Sequence, residues 1–403
     1  MIRIRTILAN GTVITPIRAL HSSSVIVEGG RIAAVLPSDQ VEMQEQDRVI
    51  DVGGAYIAPG FIDIHTHGAG GHDFMDGSVE AIMEAARTHL RYGTTTIMPT
   101  TLTSDLDELF DTLDKFAQAK SKLKDGPNLH GLHLEGPYFS REQAGAQDPR
   151  YIKNPDPDEY RRIVGYSGEV KRWTIAPELP GALEMGRYLS ERGILCSMGH
   201  TNAVYEDVVA AVENGFRLVT HLYSAMSGVR RINAYRYAGV IESALLLDEL
   251  TVEVIADGVH LPKSLLQLTY KVKGPDRICL VTDSMRGAGM PEGESILGSL
   301  KDGQRVIIED GVAKLPDRSA FAGSVSTSDR LVRTMVKLAE VPLVDAVKMV
   351  TLTPAKLLGI DHCKGVIAPG KDADLVVFDA HINVSLVMVG GQVRFDKDQE
   401  KNW

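Results

Sequence analysis

The sequence predicts an α/β fold: a (β/α)₈ TIM-like barrel with a small β-sandwich domain formed by both chain termini. Three observations lead to this prediction. Short apolar runs alternate with helical stretches along the middle of the chain, eight such runs can be counted, and both ends contain β-rich segments broken by glycine-containing turns. Continuous apolar strands that alternate with helices are typical of a parallel sheet, and eight of them are typical of a closed barrel.

The eight apolar runs predict the barrel strands. They are FIDIH at 61–65, TTIMP at 95–99, LHLE at 132–135, WTIAP at 173–177, ILCSM at 194–198, RLVTH at 217–221, VEVIA at 252–256 and ICLVT at 278–282. Stretches such as SVEAIMEAARTHLRYG and VYEDVVAAVENGF lie between them and predict helices.

The two ends of the chain resemble each other more than they resemble the middle. RTILANGTVITP and SSVIVEGGRIAAVLP stand near the start, and GVIAPGKDADLVVFD and NVSLVMVGGQVRFD stand near the end. Short runs of this kind, separated by glycine turns, predict strands. We therefore expect residues 1–55 and 362–403 to form the small β domain and residues 56–361 to form the barrel.

The composition is that of an ordinary globular protein of 403 residues, with 44% hydrophobic and 24% charged residues. The net charge of −10 argues against bulk binding to nucleic acid, and no apolar run approaches the roughly 20 residues of a membrane span. The N-terminus lacks the apolar core of a signal peptide, so a cytoplasmic location is expected. Cys196, Cys279 and Cys363 are far apart and are expected to be free thiols.

Ionisable side chains follow six of the eight predicted strands. His65 and His67 close the first, Glu135 closes the third, His200 follows the fifth, His221 ends the sixth, Asp257 and His260 follow the seventh, and Asp283 follows the eighth. The active sites of such barrels lie at the C-terminal ends of the strands, so these side chains are expected to converge on one axis.

The pair His65 and His67 has the i, i+2 spacing that places both imidazoles on one face of a strand. Imidazole nitrogen and carboxylate oxygen are suitable ligands for Zn²⁺ or Fe²⁺. At the end of a first barrel strand the pair is expected either to bind a metal or to support one that is bound nearby.

A set of motifs in chain order resembles the N-acetylglucosamine-6-phosphate deacetylase family of the amidohydrolase superfamily. The motifs are IAPGFIDIHTHG, LHLEGPYFS, SMGHT, THLYSAM, IADGVH, LVTDSMRGAGMPEG, FAGS and GVIAPGKDADLVVFD, and they span about residue 50 to about residue 380. LHLEGP and TDSMRGAGMPEG are specific to the family, whereas the HxH and APGKDADLVV motifs are shared across the superfamily. The resemblance implies a metal-dependent hydrolase barrel.

The resemblance also implies which residues hold the metal. Glu135, His200 and His221 match the three ligands of one divalent ion, and three protein ligands leave a position open as a catalytic metal requires. His65 and His67 match members that bind a second ion, with Glu135 as the bridge. The fourth strand, RWTIAPE, does not end in the lysine that bridges two ions in many other amidohydrolases. One or two ions per chain, Zn²⁺ or Fe²⁺, are therefore expected.

Two further residues match catalytic positions of the family. Asp283 in VTDSM resembles the general acid/base, which takes a proton from the attacking water and delivers it to the leaving nitrogen. His260 in ADGVH resembles the histidine that contacts the acetyl carbonyl, where it would also steady the oxyanion.

The remaining matches concern the sugar phosphate. Members of the family bind the phosphate through backbone amides after the HLYNAM motif and through an Arg that can come from a dimer partner, so a homodimer is expected. Here Ser224 replaces the Asn, and Arg230, Arg231 and Arg236 are the candidates, with Arg231 preferred by its distance from His221. The predicted substrate-binding residues are Ala146, Gln147, Ser224, Ala225, Arg230, Arg231, His260, Phe321, Ala322 and Gly323.

The predicted reaction is hydrolysis of N-acetylglucosamine 6-phosphate to glucosamine 6-phosphate and acetate. The change at Ser224 and the arginine-rich loop leave a second substrate open, N-acetylgalactosamine 6-phosphate or another N-acylated sugar. A third possibility is a non-catalytic sugar sensor or scaffold with the same fold. The presence of both the ligands and Asp283 argues against it.

Overall fold

The structure is a computed structural model that describes residues 5–400. The first part of the chain forms strands β1 (Thr6–Ile14), β2 (Ala19–Glu28), β3 (Arg31–Pro37), β4 (Arg48–Asp51) and β5 (Tyr56–Pro59). The last part of the chain forms three strands and a short helix. The outermost residues of the predicted β domain, 1–4 and 401–403, lie outside the described residues.

The central part of the chain alternates strands and helices. Its strands are β6 (Phe61–Thr66), β7 (Gly68–Ala69), β8 (His72–Asp73), β9 (Thr94–Thr101), β10 (Asn128–Leu129), β11 (Leu132–Glu135), β12 (Val170–Ile175), β13 (Leu195–Met198), β14 (Phe216–Val219), β15 (Arg230–Ile232), β16 (Tyr235–Tyr237), β17 (Thr251–Val254), β18 (Ile278–Leu280), β19 (Gly293–Leu297), β20 (Gln304–Glu309), β21 (Val312–Lys314) and β22 (Phe321–Ser324). Its helices are α1 (Val79–Arg91), α2 (Leu106–Lys122), α3 (Pro157–Tyr166), α4 (Ala182–Ser190), α5 (Tyr205–Glu213), α6 (Val240–Leu246), α7 (Lys263–Lys273), α8 (Ser328–Lys337), α9 (Leu343–Met349) and α10 (Leu352–Leu357). The chain then forms β23 (Leu375–Phe378), β24 (Val384–Val389), β25 (Gln392–Asp396) and α11 (Lys397–Glu400).

Eight parallel strands form the barrel and coincide with the eight predicted runs. Their order is β6, β9, β11, β12, β13, β14, β17 and β18, and neighbours in this order are hydrogen-bonded. The first and last strands of this order meet near the C-terminal end of β6, where Asp283 N donates to His65 O at 2.9 Å and His67 N donates to Ser284 O at 2.8 Å. The predicted fold class is confirmed, and every strand presents its C-terminal end to one mouth.

Local sequence explains why the connecting helices form where they do. Ser78 caps α1 by accepting a hydrogen bond from Ala81 N, which satisfies one of the free amides of the first turn. On α2, Leu109, Leu113 and Phe116 recur at helical spacing and are buried in the main core. Each buried side chain of this kind stabilises the fold by about 1.5–3 kcal/mol. These helices hold the barrel strands, and hence the strand ends, in place.

The terminal strands form one eight-stranded sheet that is separate from the barrel. Its order is β25, β24, β23, β5, β1, β2 and β3, and β4 pairs with β1 beside β5. Leu8, Val25, Leu375 and Met388 share one core, although they come from opposite ends of the chain. Strand β5 pairs with β1 and β23, whereas the predicted division at residue 55 places it with the barrel. The division at 55/56 and 361/362 remains a proposal.

Three smaller sheets are inserted after barrel strands, and the first is the β7–β8 pair after β6. Strands β19 to β22 form an antiparallel sheet inserted after β18, and β15 and β16 form a hairpin after β14. Among residues 5–400, no helix has both the length and the apolar character needed to cross a membrane. Cys196, Cys279 and Cys363 are free, as predicted.

Candidate metal centre and active site

A pocket of about 460 Å³ opens at the C-terminal ends of the barrel strands. Most of the predicted site residues line it, namely His67, Glu135, Ala146, Gln147, His200, His221, Ser224, Ala225, His260, Asp283, Phe321 and Gly323. His65 lies buried directly beneath them with no exposed surface. The strand ends therefore bring together residues that are up to about 260 positions apart in sequence.

Glu135 lies at the centre of the predicted metal ligands. Its Oε1 atom is 3.0 Å from His221 Nε2 and 3.3 Å from His200 Nε2, and its Oε2 atom is 3.3 Å from His67 Nε2. Two groups of three potential ligands result, His65 with His67 and Glu135, and Glu135 with His200 and His221. Within each group the ligand atoms lie within 4.8 Å of one another, which is close enough to hold one ion.

Hydrogen bonds on the far side of the rings orient two of these histidines. His200 donates from Nδ1 to the backbone oxygen of Gln143 at 2.8 Å, and His65 donates from Nδ1 to Glu253 Oε2 at 3.0 Å. In each ring the Nε2 atom is therefore the one that faces Glu135. Histidines that bind metals are usually held in this way, because the outer hydrogen bond fixes both the tautomer and the ring orientation.

Three of the predicted metal-binding and catalytic residues adopt the left-handed backbone conformation that residues other than glycine rarely adopt. The φ angles are 49° at His200, 31° at His221 and 44° at Asp283. Such conformations cost of order 1–3 kcal/mol each and are concentrated at functional sites. Because each of the three follows a barrel strand, the chain turns sharply there and directs the side chain into the pocket.

The electrostatics of the site favour a positive charge between the carboxylates. Burial alone would lower the pKa of His67, but hydrogen bonds to Asp283 and Glu135 outweigh it and raise the pKa to about 9. Burial alone would raise the pKa of Glu135, but His65, His200 and His221 outweigh it and hold that pKa well below the usual value. Among residues 5–400, the buried His65 Nε2 atom has no hydrogen-bond partner, although it faces Glu135 Oε1 at 3.5 Å. This donor set of imidazole nitrogens and a shared carboxylate fits a divalent cation.

Asp283 lies on the pocket side of the His65–His67 pair. One carboxylate oxygen, Oδ1, is 3.3 Å from His67 Nε2 and 3.4 Å from His65 Nε2. The two imidazoles outweigh the effect of burial and lower the pKa of Asp283, so the side chain is a carboxylate near neutral pH. Gly323 packs closely behind it, because a Cβ atom there would lie 3.0 Å from the Asp283 carbonyl oxygen.

His260 also lines the pocket and is held in place by Asp257. Its Nδ1 atom donates to Asp257 Oδ2 at 2.7 Å, and its backbone N donates to Oδ1 of the same carboxylate at 2.8 Å. The imidazole of His260 packs against the ring of Phe321 at 4.7 Å between centroids. Asp257 thus orients a pocket histidine so that Nε2 is the ring nitrogen left for a substrate.

Some of the predicted phosphate-binding residues line the pocket, and the three candidate arginines do not. Ser224 and Ala225 line the pocket, and the Ser224 amide already donates to His221 O at 2.9 Å. The side chains of Arg231 and Arg236 are exposed on the β15–β16 hairpin, where they stand directly opposite each other, and Arg230 is half-buried. In the part of the chain that the structure describes, the pocket lining contains neither Lys nor Arg. Ala322 is buried beside the pocket and does not line it.

Sequence reasoning missed a buried pair below the ligands, Glu253 on β17 and Arg172 on β12. Both residues are fully buried in the barrel and form an ion pair. Glu253 also contacts His65. Burial would raise the pKa of Glu253, but Arg172 and His65 outweigh it and lower that pKa. In the sequence, Glu253 lies inside the apolar run VEVIA and Arg172 directly precedes the run WTIAP, and these two charged residues were the available signal.

Comparisons with known protein sequences match most of the chain. A sequence profile described as "Amidohydrolase family" matches residues 56–394. An N-acetylglucosamine-6-phosphate deacetylase of Lysinibacillus sphaericus is 34% identical over 96% of this chain and 97% of its own length. An N-acetylgalactosamine-6-phosphate deacetylase of Escherichia coli O157:H7 is 31% identical over 93% of this chain and 95% of its own length.

Solved structures of related proteins superpose on almost the whole chain. The N-acetylglucosamine-6-phosphate deacetylase of Pasteurella multocida has a TM-score of 0.89 at 31% identity and covers 97% of this chain and 99% of its own. A mutant of the Mycobacterium smegmatis deacetylase, in complex with N-acetyl-D-glucosamine 6-phosphate, has a TM-score of 0.87 at 30% identity. Coverage in that comparison is 98% of this chain and 99% of the relative.

The barrel, with acidic and imidazole ligands at its mouth, defines a hydrolase of the amidohydrolase class. The chain belongs to the amidohydrolase family and, within it, to the N-acetylglucosamine-6-phosphate deacetylase family. The resemblance seen in the sequence motifs is thus confirmed.

Proposed function

We propose that the protein hydrolyses the acetamide of N-acetylglucosamine 6-phosphate to glucosamine 6-phosphate and acetate. The observation that carries this proposal is the arrangement around Glu135, where two groups of metal ligands share one carboxylate and Asp283 lies in contact with one of these groups beside the pocket. Relatives that match nearly the whole chain are named for this activity, which supports the choice of substrate.

Glu135, His200 and His221 would hold one divalent ion, and His65, His67 and Glu135 would hold a second. Zn²⁺ and Fe²⁺ are the ions that this ligand set favours. When bound, such an ion polarises a carbonyl oxygen and makes hydroxide available near neutral pH. Glu135 then belongs to both groups, so its loss would affect both.

The remaining chemistry falls to two residues that line the pocket, Asp283 and His260. Asp283 is ionised and accepts a proton from the attacking water through Oδ1, then delivers it to the amide nitrogen as the C–N bond breaks. His260 faces the pocket with Nε2, because Asp257 holds Nδ1, and hydrogen-bonds the acetyl oxygen on which negative charge develops. A protonated amine leaves far more readily than an amide anion, which explains why one carboxylate serves both proton steps.

The sugar phosphate would be bound at the mouth of the pocket. Ser224 and Ala225 line the pocket, and Ala146, Gln147, Phe321 and Gly323, which also line it, would surround the sugar. Because the described pocket lining holds no Lys or Arg, the positive charge for the phosphate must arrive from outside that lining. Arg231, on the exposed β15–β16 hairpin, is the proposed residue, acting within its own chain or across a homodimer. The homodimer and the cytoplasmic location remain predictions.

A second candidate substrate is N-acetylgalactosamine 6-phosphate. A relative named for that activity is 31% identical to this chain, close to the 34% of the glucosamine relative, and Ser224 departs from the usual motif residue. The two sugars differ only in the orientation of one hydroxyl, so the same metal centre and Asp283 would serve either.

Acetate release from four sugars tests the proposal: N-acetylglucosamine, N-acetylgalactosamine and the 6-phosphate of each. The proposal expects the highest kcat/KM for N-acetylglucosamine 6-phosphate and a large loss for both unphosphorylated sugars. Preference for the galactosamine phosphate would support the second candidate. Release of no acetate from any of the four by the metal-loaded protein would overturn both.

A further inference from the structure

A buried ion pair lies directly beneath the two groups of metal ligands. Arg172 on β12 and Glu253 on β17 face each other inside the barrel, and neither has exposed surface. Barrel interiors of this class are filled mainly by branched apolar side chains. Replacing a buried ion pair by apolar residues of similar volume is often neutral or stabilising, so stability alone does not explain this pair.

The Glu253 carboxylate touches both groups of ligands. Its Oε2 atom accepts a hydrogen bond from His65 Nδ1 at 3.0 Å and another from the backbone N of His221 at 3.1 Å. The Glu253 backbone oxygen also accepts from Leu222 N at 2.9 Å. One residue thus fixes the ring of a ligand from one group and the left-handed turn that presents a ligand from the other.

Arg172 holds that carboxylate from below. Besides Glu253 Oε1, its guanidinium donates to the backbone oxygen of Ile64 at 3.0 Å, to Ser197 Oγ at 3.1 Å and to Thr220 Oγ1 at 2.9 Å. The acceptors come from β6, β13 and the end of β14, so the guanidinium is tied to three further strands. Ile64 and Thr220 directly precede the ligands His65 and His221 in the chain.

We propose that Glu253 is a positioning residue for the metal centre: it fixes His65 with Nε2 toward the second ion and holds the His221 turn, so that the two ions are bound as one unit. Arg172 balances the charge of Glu253 and sets the place of its carboxylate. This inference rests on the metal centre of the proposed function. Groups that hydrogen-bond to metal ligands and orient them typically change metal affinity or activity by about 10- to 100-fold.

Equilibrium binding of Zn²⁺ alone, measured as ions per chain in metal buffers, tests the proposal without any sugar. The main variant is Arg172→Met with Glu253→Met, which removes the hydrogen-bond acceptor without leaving a buried charge unpaired. Wild type is expected to bind two ions. In the double variant, affinity for at least one ion is expected to fall about 10- to 100-fold, while the urea midpoint of the metal-free protein stays near that of wild type.

Two further variants separate positioning from folding. Glu253→Asp keeps a negative charge opposite Arg172 but withdraws it from His65, so weaker metal binding is expected even if the double variant fails to fold. Lys364→Met removes the cation that pairs with Asp372 and Asp374 in the terminal β domain, where the Lys364 side chain is 14% exposed. That control is expected to unfold at lower urea concentration and to bind both ions as wild type does.

The outcomes distinguish this inference from the function on which it rests. A folded double variant, or Glu253→Asp, that binds both ions with wild-type affinity would overturn the positioning role. Wild-type protein that binds fewer than two ions would also overturn it, because no second ion would then need His65. Tight binding of two ions, weakened in the variants, without acetate release from any sugar would uphold the positioning role and contradict the proposed function alone.

Discussion

The side-chain amide of Gln147 donates a hydrogen bond to Oε2 of Glu135 at 2.8 Å. The amide oxygen of Gln147 accepts from the backbone N of Thr103, also at 2.8 Å, so the orientation of the whole amide is fixed. Gln147 is 4% exposed and lies where the sequence predicts a contact with sugar hydroxyls. Its contacts in the structure place it instead against the carboxylate that both groups of metal ligands share.

Substitution Gln147→Ala separates the two roles. Loss of a support for Glu135 is expected to lower kcat about 10-fold and to leave KM within about twofold, as for other groups that orient metal ligands. Steady-state kinetics of acetate release at saturating metal measure both constants. A raised KM at unchanged kcat would show that Gln147 acts on the sugar and not on Glu135.

Substitution Asp283→Asn keeps the shape of the side chain but removes its ability to accept a proton. Because general acid–base catalysis typically contributes 10²- to 10⁴-fold, kcat is expected to fall by about 10³-fold. Metal content, measured on the same sample, is expected to stay at the wild-type value, since Asp283 is outside both groups of ligands. Wild-type turnover in this variant would refute the assignment of the proton steps to Asp283.

Substitution Arg231→Ala tests the phosphate contact. Hydrogen bonds to charged groups contribute about 1.5–3 kcal/mol, so KM for the phosphorylated sugar is expected to rise about 10- to 100-fold. The unphosphorylated sugar is the internal control, and Arg236→Ala on the facing strand of the same hairpin is the matched variant. Equal losses on both sugars, or an effect confined to Arg236→Ala, would place the contact elsewhere.

Stability is expected to fall at acidic pH because of His89. This residue has no exposed surface, and burial lowers its pKa from 6.5 to about 4. Between these pH values the unfolded chain binds a proton at His89 that the folded chain does not. The contribution of His89 to the free energy of unfolding is therefore complete above pH 6.5 and is lost as the pH falls toward 4. From pH 7 to pH 5 the loss is about 2 kcal/mol.

Urea unfolding of wild type and His89→Gln at these two pH values measures this contribution. The variant lacks the titrating group, so its free energy of unfolding is expected to change less between the two pH values than that of wild type. Parallel changes in both proteins would show that His89 does not cause the pH dependence.

The fold and the centre of the site could be predicted because their signals are local. A barrel strand appears in the sequence as a short apolar run. The residue at the end of that run, such as Glu135 or His221, lies at the mouth of the barrel regardless of the conformation of the loops. Strand β5 shows the limit of this reasoning. Its sequence, YIAP, continues into the first barrel strand, and only pairing with β1 and β23 assigns it to the terminal sheet.

The remaining parts of the site depend on long-range geometry. The position of Arg231 depends on a hairpin whose turn residues, Asn233 and Ala234, have φ angles of 48° and 73°. Turns of this kind favour Gly at such positions, so the Ala in the sequence does not predict the turn. Glu253 and Arg172 are partners 81 positions apart on strands that are not neighbours. A charged residue inside an apolar strand predicts that a partner exists, but not which one.

The account depends most directly on the metal dependence of acetate release from N-acetylglucosamine 6-phosphate. The measurement compares the protein as purified, after removal of its metal by a chelator, and after Zn²⁺ or Fe²⁺ is added back. We expect acetate release to fall by at least about 100-fold on metal removal, since the metal supplies the nucleophile at neutral pH, and to return when metal is restored. Undiminished release from protein shown to contain no metal would contradict the account.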